Sequence, residues 1–366
     1  MASRIVVFGA TGYTGRLVTE SLLGRGARPV LAGRSAQRLR ALAAELGEDL
    51  EVAEADVDRP GTVRALVSRG DVLVSTVGPF TRWGAPAVQA AVAAGAHYLD
   101  STGEPAFIRQ VFERFGRGAQ AAGCGLVTAF GYDFVPGNLA GALALHRAGP
   151  GVARVDVGYF FTGRNAASGG TLASLASALT DPAFAWRGGR LVDERSGARA
   201  RSFVVDGRRQ AGISIGASEH FGLPRVHPGL REVNVYLGWF GPLTAPMRAL
   251  SAVNALAGKV PGVAAAERAA VGRVVKGSTG GPDASARARS GSHVVAAAYD
   301  AGGGELAHVE LTGPNGYSFT GDVLAWGAET ASARGLGATG ALAPVEAFGL
   351  DGLRDGCAKA GLVVAT

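Results

Sequence analysis

The chain has 366 residues, a formal net charge of +6 and a 47% hydrophobic composition. That length allows two packed domains, and that hydrophobic share excludes a disordered tail. The charge comes almost wholly from arginine, with Lys259, Lys276 and Lys359 the only lysines. No run of five like charges forms the basic face that nucleic acid requires, so no nucleic-acid partner is expected.

Residues 4–8 read as a short β-branched strand, residues 9–15 as a glycine loop and residues 13–23 as an amphipathic helix. Further strands are expected at 29–32, 50–53, 71–76, 97–99 and 125–128. Helices are expected between them, at 35–46 with Ser35 as its cap, 60–68, 85–94 and 105–122. This alternation implies parallel βαβ units, and right-handed crossovers then leave a doubly wound parallel sheet. Beyond about residue 149, strands at 152–161, 201–205, 231–239, 287–299 and 305–312 lack regular helical spacers. That implies a second α+β domain with a mixed sheet. Residues 276–286 read as a loop. Helices return from about Ser318, ending with one at 351–360.

The expected organisation is thus residues 1–149, residues 150–317, and a C-terminal segment 318–366 packing back on the first domain. Residues 240–266 are apolar but broken by Pro242, Pro246, Arg248, Lys259 and Pro261. They read as a surface helix pair, a candidate oligomer or membrane-surface contact. Cys124 and Cys357 are too few for a zinc site or a disulfide framework, which fits a reducing cytoplasm. The first strand begins within a few residues of Met1, so no signal peptide is expected. No uncharged apolar stretch reaches about 18 residues.

Gly9-Ala10-Thr11-Gly12-Tyr13-Thr14-Gly15 sits between an expected strand and an expected helix, the context a dinucleotide fingerprint requires. Gly9 allows the tight turn, Gly12 lets backbone approach a pyrophosphate, and Gly15 lets the helix pack close to the sheet. The helix N-terminus offers the pyrophosphate free N–H groups and a positive dipole end. The pattern identifies a Rossmann domain. At the end of the second strand, Ala32-Gly33-Arg34-Ser35 has no acid to bind ribose hydroxyls. Arg34 and Ser35 instead suit a 2′-phosphate, and Arg38 lies one turn on, so the expected cofactor is NADP. Asp56 and Val57 are placed to border the adenine, though Asp56 equally suits a cap for the following turn. Thr76, Val77, Gly78 and Pro79 follow the fourth strand at the ligand crevice.

Hydride transfer needs no protein nucleophile, but one proton donor is usual. Asp100 and Glu104, after the fifth strand, are candidates. Ser101 and Thr102 nearby suit helix caps, and Glu104 equally suits a helix N-terminal acid. Tyr132 and Asp133, after the sixth strand, are the others, with Tyr132 the favoured donor. The six histidines show no metal spacing, so no metal is expected.

Five segments in order, residues 9–15, 32–35, 76–80, 98–104 and 131–136, resemble the saccharopine dehydrogenase-like NADP-dependent oxidoreductases. The resemblance covers about residues 4–145, and residues 344–349 also look like that group. It implies NADP, a second α/β domain supplying much of the substrate pocket, and often a homodimer. The group contains saccharopine reductases, which reduce an imine, and trans-acting enoyl reductases, which reduce a carrier-bound C=C bond. Tyr132 and Phe134-Val135 stand where the enoyl branch tends toward Phe and Ser-Ile. Arg154, Arg164 and Arg225 are candidates for holding substrate carboxylates, while the apolar loop Phe221-Gly222-Leu223-Pro224 leans toward a less charged acceptor. The expected activity is NADPH-dependent reduction of an imine or activated alkene in a specialised pathway. The rival expectation is a non-catalytic NADP-binding sensor or docking protein.

Overall fold

The computed structural model describes residues 3–163, 182–239, 241, 244–257 and 280–365. Arg164, Asp181, Lys259, Pro261 and Lys276 lie outside the described residues, as do parts of 240–266 and 276–286. Two compact units form. The first combines Met1–Thr102, Phe107–Val135 and Gly316–Gly361. The second combines Gly103–Ala106, Pro136–Asn315 and Leu362–Thr366.

In chain order the strands begin with β1 (Ile5–Phe8), β2 (Val30–Gly33), β3 (Val52–Glu54), β4 (Val72–Ser75), β5 (His97–Asp100) and β6 (Gly125–Val127). Then come β7 (Arg154–Gly163), β8 (Phe184–Arg187), β9 (Arg190–Asp193), β10 (Ala200–Val205), β11 (Arg208–Ser214) and β12 (Glu232–Leu237). The last are β13 (Ser290–Tyr299), β14 (Glu305–Pro314), β15 (Gly340–Ala341) and β16 (Val363–Val364).

The first unit holds a seven-stranded sheet in the order β15-β6-β5-β4-β1-β2-β3, with every neighbouring pair parallel. Its central strands are apolar end to end because both faces are covered: β1 and the Val72, Leu73 and Val74 side chains of β4 are buried. Strand order reverses between β1 and β4, where such sheets bind ligands outside the strand carboxyl ends. The sheet gains β15 as a seventh strand beyond the six expected. The helix Gly316–Arg334 packs on the helix Tyr13–Gly24. A side chain on Gly321 would sit 3.0 Å from the Leu17 Cβ, and Ser21 donates to Asp322 at 2.6 Å.

Two helices differ from expectation. The one at 60–68 stops at Arg64 because Ser68 and Asp71 close a turn of their own, with Ser68 N–H on the Asp71 carboxylate at 2.9 Å. The one at 105–122 widens to a π turn at Val111–Phe115. Gly116 follows it directly and runs so close to Ala341 of β15 that a Cβ would lie 3.2 Å from that side chain.

The second unit holds a nine-stranded mixed sheet with the path β10-β11-β12-β7-β13-β14-β16, with β8 attached to β12 and β9 to β8. β12 and β7 run parallel, while the other neighbours are antiparallel. Two hairpins use left-handed turn pairs that match strand twist: Gly188-Gly189 at φ 57° and 79°, and Asp206-Gly207 at φ 49° and 70°. Phe160, Phe203, Val205, Tyr236 and Val295 form a core cluster on one face. The expected apolar loop at Phe221-Gly222-Leu223-Pro224 is instead part of the helix Glu219–Val226. Fully buried Leu223 packs where a side chain on Gly141 would meet it at 2.6 Å, and this packing overrides the helix-breaking tendency of Pro224. Thr244–Ala257 is a helix. Among the described residues no helix is long and apolar enough to cross a membrane.

Candidate dinucleotide site and crevice loops

All the site elements of the first unit lie at strand carboxyl ends. Gly9 adopts φ 93°, a conformation natural only to glycine. A Cβ there would lie 2.7 Å from Thr76 Oγ1 and 3.0 Å from Val77. Thr76 ties the two loops together through its Oγ1, which lies 3.2 Å from both the Phe8 and Gly9 carbonyls. Gly15 packs harder still: its Cβ would fall 2.2 Å from the Gly9 carbonyl oxygen. The loop folds on itself through the Gly12 N–H to Gly9 carbonyl bond at 2.9 Å. Ala10 is buried and Thr11 exposed, with Tyr13 and Thr14 opening the helix. That helix has no side-chain cap and no acid in its first turn. Its leading N–H groups have no partner within the helix, and no acid of the first turn competes for them.

At the end of β2, Gly33 is buried and Arg34 and Arg38 are exposed. Neither guanidinium makes an ion pair or hydrogen bond among the described residues. Ser35 caps the helix Ala36–Glu45, accepting the Arg38 N–H at 3.3 Å. After β3, Asp56 accepts the Asp58 N–H at 3.0 Å and so closes the turn that contains Val57. Gly78 and Pro79 shape the turn after β4 and lead into the short helix Phe80–Trp83.

Asp100 is fully buried at the end of β5. It accepts the Thr102 N–H at 2.9 Å, the Ala129 N–H at 2.9 Å and the Thr128 hydroxyl at 2.8 Å. Burial pushes its carboxyl up to about 6, against the downward pull of those hydrogen bonds. Ala129 sits at φ 57°, a strained position for a residue with a side chain, and Asp100 holds it there. Asp100→Ala is expected to cost about 3 kcal/mol of stability, since three buried donors lose their acceptor. Chemical denaturation of the variant checks this.

The loop after β6 is clamped from the helix Gly316–Arg334 as well. Thr320 accepts the Tyr132 N–H at 2.9 Å, and Phe130 packs between Trp326 and Phe348 at ring separations of 6.4 and 5.0 Å. Tyr132 is buried, with its ring edge-on to Phe319. The neighbouring Asp133 has a buried Oδ1 with no hydrogen-bond partner among the described residues. Burial alone raises its carboxyl to about 7. The sequence reading missed Thr320, Trp326 and Phe348: they lie roughly 190 residues or more downstream of the loop they hold, and no local pattern marks them. Glu104 is fully buried within the segment Gly103–Ala106 of the second unit.

In the second unit, Trp186 donates to the Leu230 carbonyl at 2.9 Å, and Arg225 is exposed on its helix. Arg154 faces Asp156 at 3.5 Å. Among the described residues no group of three or more His, Cys, Asp or Glu is placed to hold a metal ion.

Residues 5–124 match the family model of the saccharopine dehydrogenase NADP binding domain. A Mycobacterium tuberculosis protein with the provisional name trans-acting enoyl reductase is 41% identical over 189 residues, covering 48% of this chain and 44% of that one. The trans-acting enoyl reductase of Mycobacterium leprae is 41% identical over 140 residues, covering 37% of this chain and 34% of its own. These matches span less than half the length of either relative. Apo saccharopine dehydrogenase (L-Glu forming) from Saccharomyces cerevisiae superposes over 100% of both chains with a TM-score of 0.61 at 13% identity, a shared fold. The glycine cradle, the open helix N-terminus and the two guanidiniums after β2 fit NADP, the cofactor of the matched domain. Residues 5–124 thus match the NADP-binding domain of saccharopine dehydrogenases, and NADP is the cofactor that domain takes.

Proposed function

We propose that the chain is an NADPH-dependent reductase that saturates a C=N or activated C=C bond of a small-molecule or carrier-bound intermediate. One observation carries this reading: a glycine cradle at a helix N-terminus without a side-chain cap, with Arg34 and Arg38 exposed at the end of the next strand and making no ion pair among the described residues. The name borne by the relatives favours the activated alkene over the imine.

When bound, NADPH supplies the hydride. The first turn of the helix Tyr13–Gly24 would hold the diphosphate, and Arg34 with Arg38 would hold the 2′-phosphate. Thr76, Val77, Gly78 and Pro79 line the crevice on the β4 side. The acceptor gains a hydride and one proton, so a group near the crevice must release a proton at neutral pH. Asp133 fits that role because its carboxyl is raised to about 7. Tyr132 is the second candidate donor. Asp100 acts as a positioning residue, holding the loop that presents both.

NADPH oxidation followed with enoyl thioesters, cyclic imines and keto acid plus amine pairs tests the reading. Turnover of at least one class is expected, and none with any class contradicts it. Asp133→Asn is expected to lower turnover by roughly a hundredfold with NADPH binding kept. Unchanged turnover removes Asp133 from the mechanism and leaves Tyr132→Phe as the variant to examine.

The same carboxyl gives a stability signature. Its folded pKa of about 7 lies above the ordinary value of 3.8, so the folded state binds the proton more tightly. Its stabilisation is complete below pH ~4 and is lost as pH rises through ~7. Thermal melts of Asp133→Asn should lack that part of the decline, and an identical pH profile contradicts the burial argument.

A further inference from the structure

Within the first unit, the helix Gly316–Arg334 does more than cover the sheet. Its contacts with the helix Tyr13–Gly24 and its C-cap Arg25 keep step along both segments. Tyr317 meets Tyr13, Gly321 meets Leu17 and Glu329 pairs with Arg25, always at the same sequence offset. The two helices therefore run parallel, N-terminus beside N-terminus. Side-by-side dipoles of the same sense repel, so side-chain contacts have to hold the pair together.

The first turn of the helix Tyr13–Gly24 is where such support matters. Its N-cap is Gly12, and no side chain caps it. Gly9 lies just before the turn and Gly15 within it. An uncapped first turn among glycines frays readily. Yet its N–H groups are the ones placed to receive the diphosphate, so the turn must hold still. Tyr13 is the first helical residue. Its backbone belongs to the anion cradle, and its ring lies against Tyr317 with 5.2 Å between centroids and 87° between planes. That T-shaped arrangement is a favoured one for two aromatic rings. Both tyrosines are half-buried. Three residues beyond Tyr317, Thr320 accepts the Tyr132 N–H at 2.9 Å. One helical turn thus touches both the glycine loop and the loop that carries Asp133. We propose that Tyr317 is a positioning residue for the dinucleotide: its ring fixes Tyr13 and so holds the first-turn N–H groups in place for the diphosphate. The inference rests on the dinucleotide reading of the glycine loop and is independent of the bond reduced.

Fluorescence titration of the full chain with NADPH and with NADH tests this. Tyr317→Leu keeps apolar bulk and removes the ring. It should weaken both nucleotides alike, roughly three- to tenfold, because both carry the diphosphate. Tyr317→Phe should recover the wild-type affinity, since the contact uses the ring and not the hydroxyl. Tyr13→Leu should give a loss of similar size, and the double variant should bind no more weakly than either single one, as for two residues acting through one contact. Ser21→Ala cuts another link between the same helices, the 2.6 Å bond to Asp322, two turns away from the loop. It should lower the melting temperature and leave both affinities unchanged. If Tyr317→Leu does not fold, Tyr13→Leu, which leaves the helix Gly316–Arg334 intact, decides in its stead. Unchanged affinity, a loss confined to NADPH, an equal loss in Tyr317→Phe or in Ser21→Ala, or additive losses in the double variant overturns the inference while the wild type still binds. A wild type that binds neither nucleotide overturns the dinucleotide reading itself, and this inference with it.

Discussion

Arg34→Ala is expected to weaken NADPH binding roughly tenfold to a hundredfold while leaving NADH binding nearly unchanged. The reasoning starts from what Arg34 lacks. It is exposed at the end of β2 and makes no ion pair among the described residues, so its removal costs the fold little. A charge-assisted hydrogen bond to a phosphate is worth roughly 1.5–3 kcal/mol, which converts to that range of affinity. NADH has no 2′-phosphate and should not register the change. The NADPH preference of the wild type should also shrink with added salt, since an exposed contact is screened. Fluorescence titration of both nucleotides reads the result, and equal losses for NADPH and NADH would remove the phosphate role. Arg38→Ala should give a smaller loss in the same direction.

Gly15→Ala is expected to weaken both nucleotides together. The added Cβ would lie 2.2 Å from the Gly9 carbonyl oxygen and 2.9 Å from the Ala10 Cα. Both are backbone atoms, so no side chain is available to swing aside. The helix N-terminus has to move off the loop, and the donors that receive the diphosphate move with it. Overpacking of this kind costs roughly 1–3 kcal/mol of stability. Misplacing the anion site should lower affinity roughly tenfold to a hundredfold. Gly24→Ala, at the other end of the helix where nothing lies within 4 Å, serves as the control. It should leave binding unchanged and be neutral or slightly stabilising. Unaltered affinity in Gly15→Ala would show that the close approach does not shape the site.

Much of the first sheet was legible because its signals are local. The run Ile5-Val6-Val7-Phe8, the glycines after it and the acid-free end of β2 each lie within a few residues of the feature they specify. What escaped depends on distant partners. Gly340–Ala341 is too short and small to read as a strand, and it becomes β15 only by pairing with Gly125 and Leu126. Phe221 to Pro224 looks like a loop until Leu223 meets Gly141. The hairpin at Asp206-Gly207 had a readable turn signal, but its second strand begins Arg-Arg-Gln, without β-branched residues, and draws its register from β10. At the site, the residue types of Asp100 and Asp133 were visible, but their environments were not. One carboxylate is ringed by three donors, and the other has one buried oxygen with no hydrogen-bond partner among the described residues.

A crystal structure of the chain with NADP+ tests the central claim most directly. The account predicts the diphosphate against the N–H groups of Tyr13, Thr14 and Gly15, with the 2′-phosphate within hydrogen-bond distance of the Arg34 guanidinium. A nucleotide bound elsewhere, or a 2′-phosphate turned into solvent away from Arg34 and Arg38, would contradict it.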